Sequence, residues 1–277
     1  MSGAAMGEHI VRTSPADGVA VLEINRPGAR NAFTEQTWVE LRDRLHELAS
    51  DPGVRAVVVT GAGTSFSAGG DIKTMGRVGA GVFAPAHRLL IAQETLRTLH
   101  RLPQPTLAAV EGYAIGAGWA VVLACDLVTV ARDAFFQAPF LRRAAVPDGG
   151  FAALVAARVG RVRTMDLLLD GERLPADDAL ALGLASRVVD PGHARESGVA
   201  QATRIATLPA DAVRLTKQLV RGREAWLDDA LVAEAAAAAL AGHSPDSAEG
   251  VRAFLERRPP VFNAGRRGAG QESSNPS

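Results

Sequence analysis

The feature that most restricts the fold of this chain is a rhythm. A short aliphatic, β-branched run leads into a glycine-rich loop, then a helical segment, then another aliphatic run. Val19–Ile24 reads VAVLEI and stops at the turn cluster Asn25-Arg-Pro-Gly28. A helix follows, with Thr34 as N-cap ahead of Glu35 and apolar residues at Trp38, Leu41, Leu45 and Leu48. Asp51-Pro-Gly53 ends it, and Val54–Thr60 (VRAVVVT) is a buried-strand run leading into a Gly-rich loop. The unit then recurs in outline: a helix over 89–102 closed by Pro103 and Pro105, a strand over 106–110, the loop Gly112–Gly118, a helix starting at Trp119, and a strand over 126–130. This alternation predicts an α/β fold. Beyond about residue 150 strands become scarce. Helices are predicted over 151–159, 162–170, 176–182, 192–207 and 210–221, from Trp226 through the alanines at 235–239, and over 247–257. The polar, Gly-rich end 264–277 has the composition of a disordered tail.

Composition narrows the class. Of 277 residues, 47% are hydrophobic and 22% charged, as in ordinary globular proteins. Lys+Arg and Asp+Glu both number 30, a balance that argues against nucleic-acid coating or a polybasic membrane anchor. A single cysteine, Cys125, excludes an intramolecular disulfide framework and cysteine-based zinc clusters. No run of 18 apolar residues is present and the first residues lack a continuous apolar stretch, so a cytoplasmic protein is expected. The six histidines are scattered, and no spacing suggests a metal site.

Three loops could carry chemistry. Gly61–Lys73 (GAGTSFSAGGDIK) joins a strand to a helix, where small residues let a ligand approach backbone N–H groups; the same composition also suits a tight turn with no ligand. Gly112–Gly118 (GYAIGAG) does likewise, but lacks the third glycine of a dinucleotide fingerprint, and the chain has no P-loop and no Gly-x-Ser-x-Gly elbow. Two such loops could aim two N–H groups at one carbonyl oxygen, the geometry of an oxyanion hole. In the third segment Asp148 lies between Pro147 and Gly149-Gly150, either as a turn or capping residue or as a carboxylate presented to a ligand.

Together these segments resemble the enoyl-CoA hydratase/isomerase (crotonase) family. The matching stretches are Asn25-Arg-Pro with Asn31-Ala-Phe33, Phe66-Ser-Ala-Gly-Gly-Asp-Ile-Lys73, and Gln104–Gly118 (QPTLAAVEGYAIGAG). They continue through Cys125-Asp126, Val146-Pro147, Leu180–Val189 and Glu249–Phe262, in the family's order, over roughly residues 10–263. The resemblance implies a spiral of ββα units with a C-terminal helical trimerisation region, assembled as a homotrimer or a dimer of trimers. The boundaries it suggests are a flexible 1–9, a spiral core over 10–200, a helical region over 201–263 and a disordered 264–277. It implies a coenzyme A thioester as substrate, with no separate cofactor and no metal. The N–H groups of Gly70 and Ala117 would hold the thioester oxygen. Ala29, Arg30, Ala68, Asp71, Ile72 and Lys73 match positions lining coenzyme A, and Phe254 and Arg257 match C-terminal positions that can reach it. Residues 74–90, Trp119 and Phe140 are expected to shape the acyl site.

The departures from the family pattern bear on the reaction. The two glutamates used by hydratases fall at Ala120 and Phe140, neither of which can activate water. Asp148 remains, in a context resembling the single-aspartate enoyl-CoA isomerases such as that of phenylacetate degradation. The expected activity is therefore double-bond migration between the 3- and 2-positions of an enoyl-CoA, with Asp148 as acid/base. Two alternatives stand beside it: a hydratase using a second acid not found in the sequence, and a non-catalytic acyl-CoA binder. The acyl group and pathway stay open.

Overall fold

The structure, a computed structural model, describes residues 8–75, 84–221 and 225–262. The expectations for 1–7, for the middle of 74–90 and for the tail beyond 262 lie outside the described residues.

The chain begins with a hairpin, β1 (Ile10–Ala16) against β2 (Val19–Ile24), antiparallel with a bulge between Thr13 and Ala16. Helix α1 (Glu35–Ala49) follows. Thr34 caps it as expected: its side chain accepts from the Thr37 N–H while the Thr37 hydroxyl accepts from the Thr34 N–H. Trp38, Leu41, Leu45 and Leu48 all lie on its buried face. Strand β3 (Ala56–Gly61), the single turn α2 (Ile72–Met75), α3 (Ala84–Arg101) and β4 (Thr106–Val110) complete the next unit. Then come β5 (Tyr113–Ile115), α4 (Ala117–Ala124), β6 (Leu127–Ala131) and β7 (Phe135–Gln137). Helix α5 (Phe151–Asp170) is broken at Gly160, where the backbone leaves helical geometry, matching the two helices expected at 151–159 and 162–170. The chain continues through β8 (Arg173–Pro175), α6 (Ala176–Ala181) and β9 (Arg187–Val189). It ends in α7 (Ala194–Ala206), α8 (Ala210–Arg221), α9 (Ala225–Gly242) and α10 (Pro245–Glu256).

Two sheets result. The larger has the order β1-β2-β3-β4-β6-β9, parallel throughout except for the first hairpin; the smaller has the order β5-β7-β8. The central strands β3 and β4 are buried along their length, which is why they read as continuous aliphatic runs. The main core lies between the larger sheet, α1, α3, α4 and α5. A second cluster lies on the opposite face, where α7 covers Val58 and Ala109, with Gly198 at the closest approach. Helix α7 thus packs on the sheet while straddling the boundary suggested at 200.

The smaller sheet escapes sequence reading because its strands are three residues long and Tyr113–Ile115 sits inside the Gly loop. It matters because β5 ties the two Gly loops together: the Ser67 N–H donates to Tyr113 O and the Ile115 N–H to Ser67 O, both at 3.0 Å. Among the described residues, no helix is long and apolar enough to cross a membrane.

Candidate active site

The first wall of the site is the loop after β3. Asn31, fully buried and left-handed, pins the preceding turn to it: its side-chain amide donates to Ala62 O and Ser65 O at 2.8 Å, and its oxygen accepts from the Arg26 N–H. Ala29 lies in a 3₁₀ turn (Pro27–Ala29) and Arg30 follows it, with the Arg30 carbonyl accepting from the Ala68 N–H at 3.0 Å. So Ala68 is brought from far along the chain to Arg30 and its neighbour Ala29. Phe33 then pairs across to Gly70, giving its N–H to Gly69 O and taking the Asp71 N–H at its own carbonyl. In that pairing the Gly70 N–H points away from Phe33, toward the opposite side of the loop.

The second wall is the loop 112–118. Gly69 (φ +90) packs so closely on it that a Cβ would stand 2.6 Å from Ile115 O and 3.5 Å from the Ala117 nitrogen. Ala117 opens α4, and a first-turn N–H of a helix has no intrahelical acceptor. The two backbone segments carrying Gly70 and Ala117 therefore abut.

The third wall is the turn at Asp148. Gly149 and Gly150 both have positive φ (+70 and +73), and a Cβ on Gly149 would stand 3.4 Å from the Ala120 methyl and 2.4 Å from Leu96 Cδ1. The Asp148 turn thus rests against the first turn and a half of α4, just past Ala117. Phe140 is buried, with its ring edge-on to Phe151, and its tip faces Gly116 at 3.9 Å from where a Cβ would be. Burial pushes the Asp148 carboxyl up to about 6, against the opposing pull of the Arg143 guanidinium. Burial likewise lowers Arg143, and Asp148 partly restores it. Arg143 also stands over the Phe254 ring at 5.6 Å.

The other expected residues fall in distinct places. Asp71 forms an ion pair with Arg26 at 3.1 Å, and Arg26 also donates to Ala32 O, so this carboxylate braces the first wall. Ile72 is buried and Lys73 exposed. Trp119 is sealed in the core, edge-on to Phe151 and tilted on Phe136, and so backs the site from behind. Phe254 and Arg257 are exposed on and just beyond α10, whose Gly250 fits against the Arg143 backbone.

One group was missed in the sequence. Glu234 of α9 accepts the Gly149 N–H at Oε1 (2.6 Å) and the Gly150 N–H at Oε2 (2.8 Å), and Gln93 of α3 donates to Oε1 at 2.9 Å. Burial pushes its carboxyl up to about 7, the hydrogen bonds oppose this, and the Asp148 charge adds to the rise. It sits before an alanine block that carries no motif, so only the folded chain brings it to Asp148. Among the described residues, no group of three or more His, Cys, Asp or Glu could hold a metal ion.

Comparison with known proteins agrees with this architecture. The family model described as enoyl-CoA hydratase/isomerase matches residues 15–265. The 1,2-epoxyphenylacetyl-CoA isomerase of Escherichia coli is 36% identical over 251 residues, covering 88% of this chain and 95% of that protein. The short-chain-enoyl-CoA hydratase of Clostridium acetobutylicum is 32% identical over 245 residues, covering 87% and 92%. A crystal structure of an enoyl-CoA hydratase from Mycobacterium avium subsp. paratuberculosis superposes with a TM-score of 0.83 at 36% identity, covering 92% of this chain and 98% of that one. Matches of this extent carry both the expected fold and its C-terminal helices, and the chain belongs to the enoyl-CoA hydratase/isomerase family of acyl-CoA enzymes.

Proposed function

We propose that this protein moves a double bond between the 3- and 2-positions of an enoyl-CoA, with Asp148 as the single acid/base. The observation that carries the reading is Asp148 itself. It is a carboxyl pushed up to about 6, on a turn whose next residue, Gly149, packs on Ala120 of α4; Ala120 and Phe140 stand where the family's hydratases have glutamates. A carboxylate of ordinary acidity is a weak base toward a thioester α-proton; raising it toward neutrality improves the match.

In this reading the Gly70 and Ala117 N–H groups receive the thioester oxygen, and Asp148 removes the C2 proton. The negative charge spreads onto the oxygen as a dienolate, where each donor contributes about 3 kcal/mol to the transition state. Asp148 then returns the proton to C4. No water is consumed, so one carboxyl suffices. Ala29, Arg30, Ala68, Asp71, Ile72 and Lys73 form the coenzyme A side, with Phe254 and Arg257 reaching it from α10. Phe140 narrows the acyl side, with Trp119 behind it. The exposed apolar residues Leu215, Leu219, Val232 and Leu240 on α8 and α9 suit coverage in a homotrimer or dimer of trimers. The protein is proposed to act in the cytoplasm with no cofactor beyond the coenzyme A of its substrate.

Hydration is the second reading, favoured by the names of relatives such as the Clostridium enzyme. It needs a second proton-transfer group, and both oxygens of Glu234 are already occupied by backbone N–H groups. The test is Asp148→Asn. Binding of a saturated acyl-CoA should be retained within a few-fold while isomerisation of a 3-enoyl-CoA falls by roughly 10³-fold, within the range of a lost general base. Unchanged turnover would refute the assignment.

A further inference from the structure

The turn that carries Asp148 is built from the softest backbone available. Gly149 and Gly150 follow it directly, both left-handed, and neither has a side chain to anchor it. Carrying a proton from C2 to C4 requires one carboxyl to stay within reach of both carbons, and the torsions nearest that carboxyl are those of this turn. What holds it comes from elsewhere in the chain. The Glu234 carboxylate closes on both glycine N–H groups, one oxygen each. Gln93, itself buried, fixes that carboxylate in turn: its amide donates to Glu234 Oε1 and to the Leu231 carbonyl, both at 2.9 Å. Helices α3 and α9 thus meet the start of α5 through a single carboxylate.

We propose that Glu234 is a positioning residue, whose bidentate grip on the Gly149 and Gly150 N–H groups sets the Asp148 carboxyl for proton transfer. The proposal rests on the reading of Asp148 as the acid/base. The role assigned to Glu234 is to hold the turn rather than to carry the substrate proton, because its two oxygens between them accept from the Gly149 and Gly150 N–H groups and the Gln93 amide. The simpler view makes it only a cap for the α5 N-terminus, where a carboxylate satisfies orphan N–H groups and complements the helix dipole. A cap alone would affect stability and leave the chemistry of the folded enzyme untouched.

The experiment compares wild type with Glu234→Gln, Glu234→Asp and Gln93→Leu in isomerisation of a 3-enoyl-CoA, with glycine amide NMR spectra of ¹⁵N-glycine-labelled protein. Gln keeps the shape but turns an amide N–H₂ toward one backbone N–H. Glu234→Gln should lower kcat by about ten- to hundred-fold, as small misplacements of catalytic groups do, with KM within about two-fold of wild type. Glu234→Asp keeps both acceptor oxygens and should recover part of the loss. Gln93→Leu leaves the carboxylate in place but unsteadied, and should show a smaller loss of kcat; it carries the test if Glu234→Gln does not fold. The Gly149 and Gly150 amide resonances should move in Glu234→Gln. Unchanged kcat in folded Glu234→Gln overturns the proposal, as do unmoved amide resonances. A fall in thermal stability with kcat intact in the surviving fraction also overturns it, leaving the cap. Wild type that neither isomerises nor exchanges its substrate α-proton refutes the function assigned to Asp148, while the amide shifts still report separately whether the grip exists.

Discussion

Replacing Asp148 by Asn separates what this carboxyl does for the reaction from what it does to the fold. Burial raises it from an ordinary 3.8 to about 6, so the folded protein binds a proton that the unfolded chain has released between those values. Stability therefore falls as pH rises through that window, and the stabilising protonated form is lost above about 6. A rise of this size corresponds to about 3 kcal/mol, an upper figure because the residue is partly accessible. Asn is close to a protonated Asp in shape and neutral at every pH. Asp148→Asn should thus be more stable than wild type at pH 8 by up to about 3 kcal/mol, and the advantage should vanish near pH 4. Relief of Glu234, which the Asp148 charge also pushes up, acts in the same direction. The assay is urea denaturation of both proteins across that pH range at one protein concentration, since assembly contributes to apparent stability. A stability difference that does not change with pH, or one that favours wild type increasingly toward pH 8, would refute the reasoning. A catalytic group that destabilises its own fold is the expected signature of a functional site.

Three further outcomes follow from the same geometry. Isomerisation should be lost as pH falls through about 6, because the base must be ionised to take the C2 proton; a kcat/KM profile flat from about pH 5 to pH 8 would contradict it. Glu234, pushed up in part by the Asp148 charge, titrates close by at about 7. Gly69→Ala should lower turnover by roughly 10²-fold and destabilise the protein by about 1–3 kcal/mol, because the new Cβ meets Ile115 O at 2.6 Å at a positive φ and pushes the two Gly loops apart; kinetics and thermal melts check both. Glu249 of α10, held down to about 2 by Arg258 and the Val261 N–H, ties the helix to the chain beyond its end. That tie is present above its ordinary 4.5 and is lost only as pH falls through about 2. Glu249→Gln should speed hydrogen exchange at the Val261 amide at neutral pH, and unchanged exchange would count against the tie.

The parts of the fold legible in the sequence are those with a strong local signal. Val19–Ile24, Ala56–Gly61 and Thr106–Val110 are buried strands of the larger sheet whose aliphatic runs announce them, and Thr34 caps α1 as a capping residue should. The first strand, Ile10–Ala16, was missed because most of its residues are polar or partly exposed and it contains a proline at an edge position. Tyr113–Ile115, Phe135–Gln137 and Arg173–Pro175 are too short to show a period, and they pair only because the tertiary structure aligns them. The site follows the same division. The Gly loops and Asp148 stand out because glycine-rich loops and a carboxylate between Pro and Gly-Gly are unusual locally. Glu234 does not, since one glutamate at the edge of an alanine-rich helix carries no motif and its partners are backbone N–H groups of another element. Trp119, expected to narrow the acyl side, proved to be a core residue wedged between Phe136 and Phe151, because it points from α4 into the aromatic cluster. Asp71 likewise faces Arg26, a partner set by the turn at 26–33 and invisible from spacing alone.

The most direct test of single-aspartate double-bond migration is mass spectrometry of purified protein incubated with a 3-enoyl-CoA in deuterated water, repeated with the 2-enoyl isomer. The expected result is interconversion of the two isomers with no added water, abolished in Asp148→Asn, with any deuterium confined to C2 and C4. A 3-hydroxyacyl-CoA product carrying solvent oxygen would contradict it and require a second acid in the site.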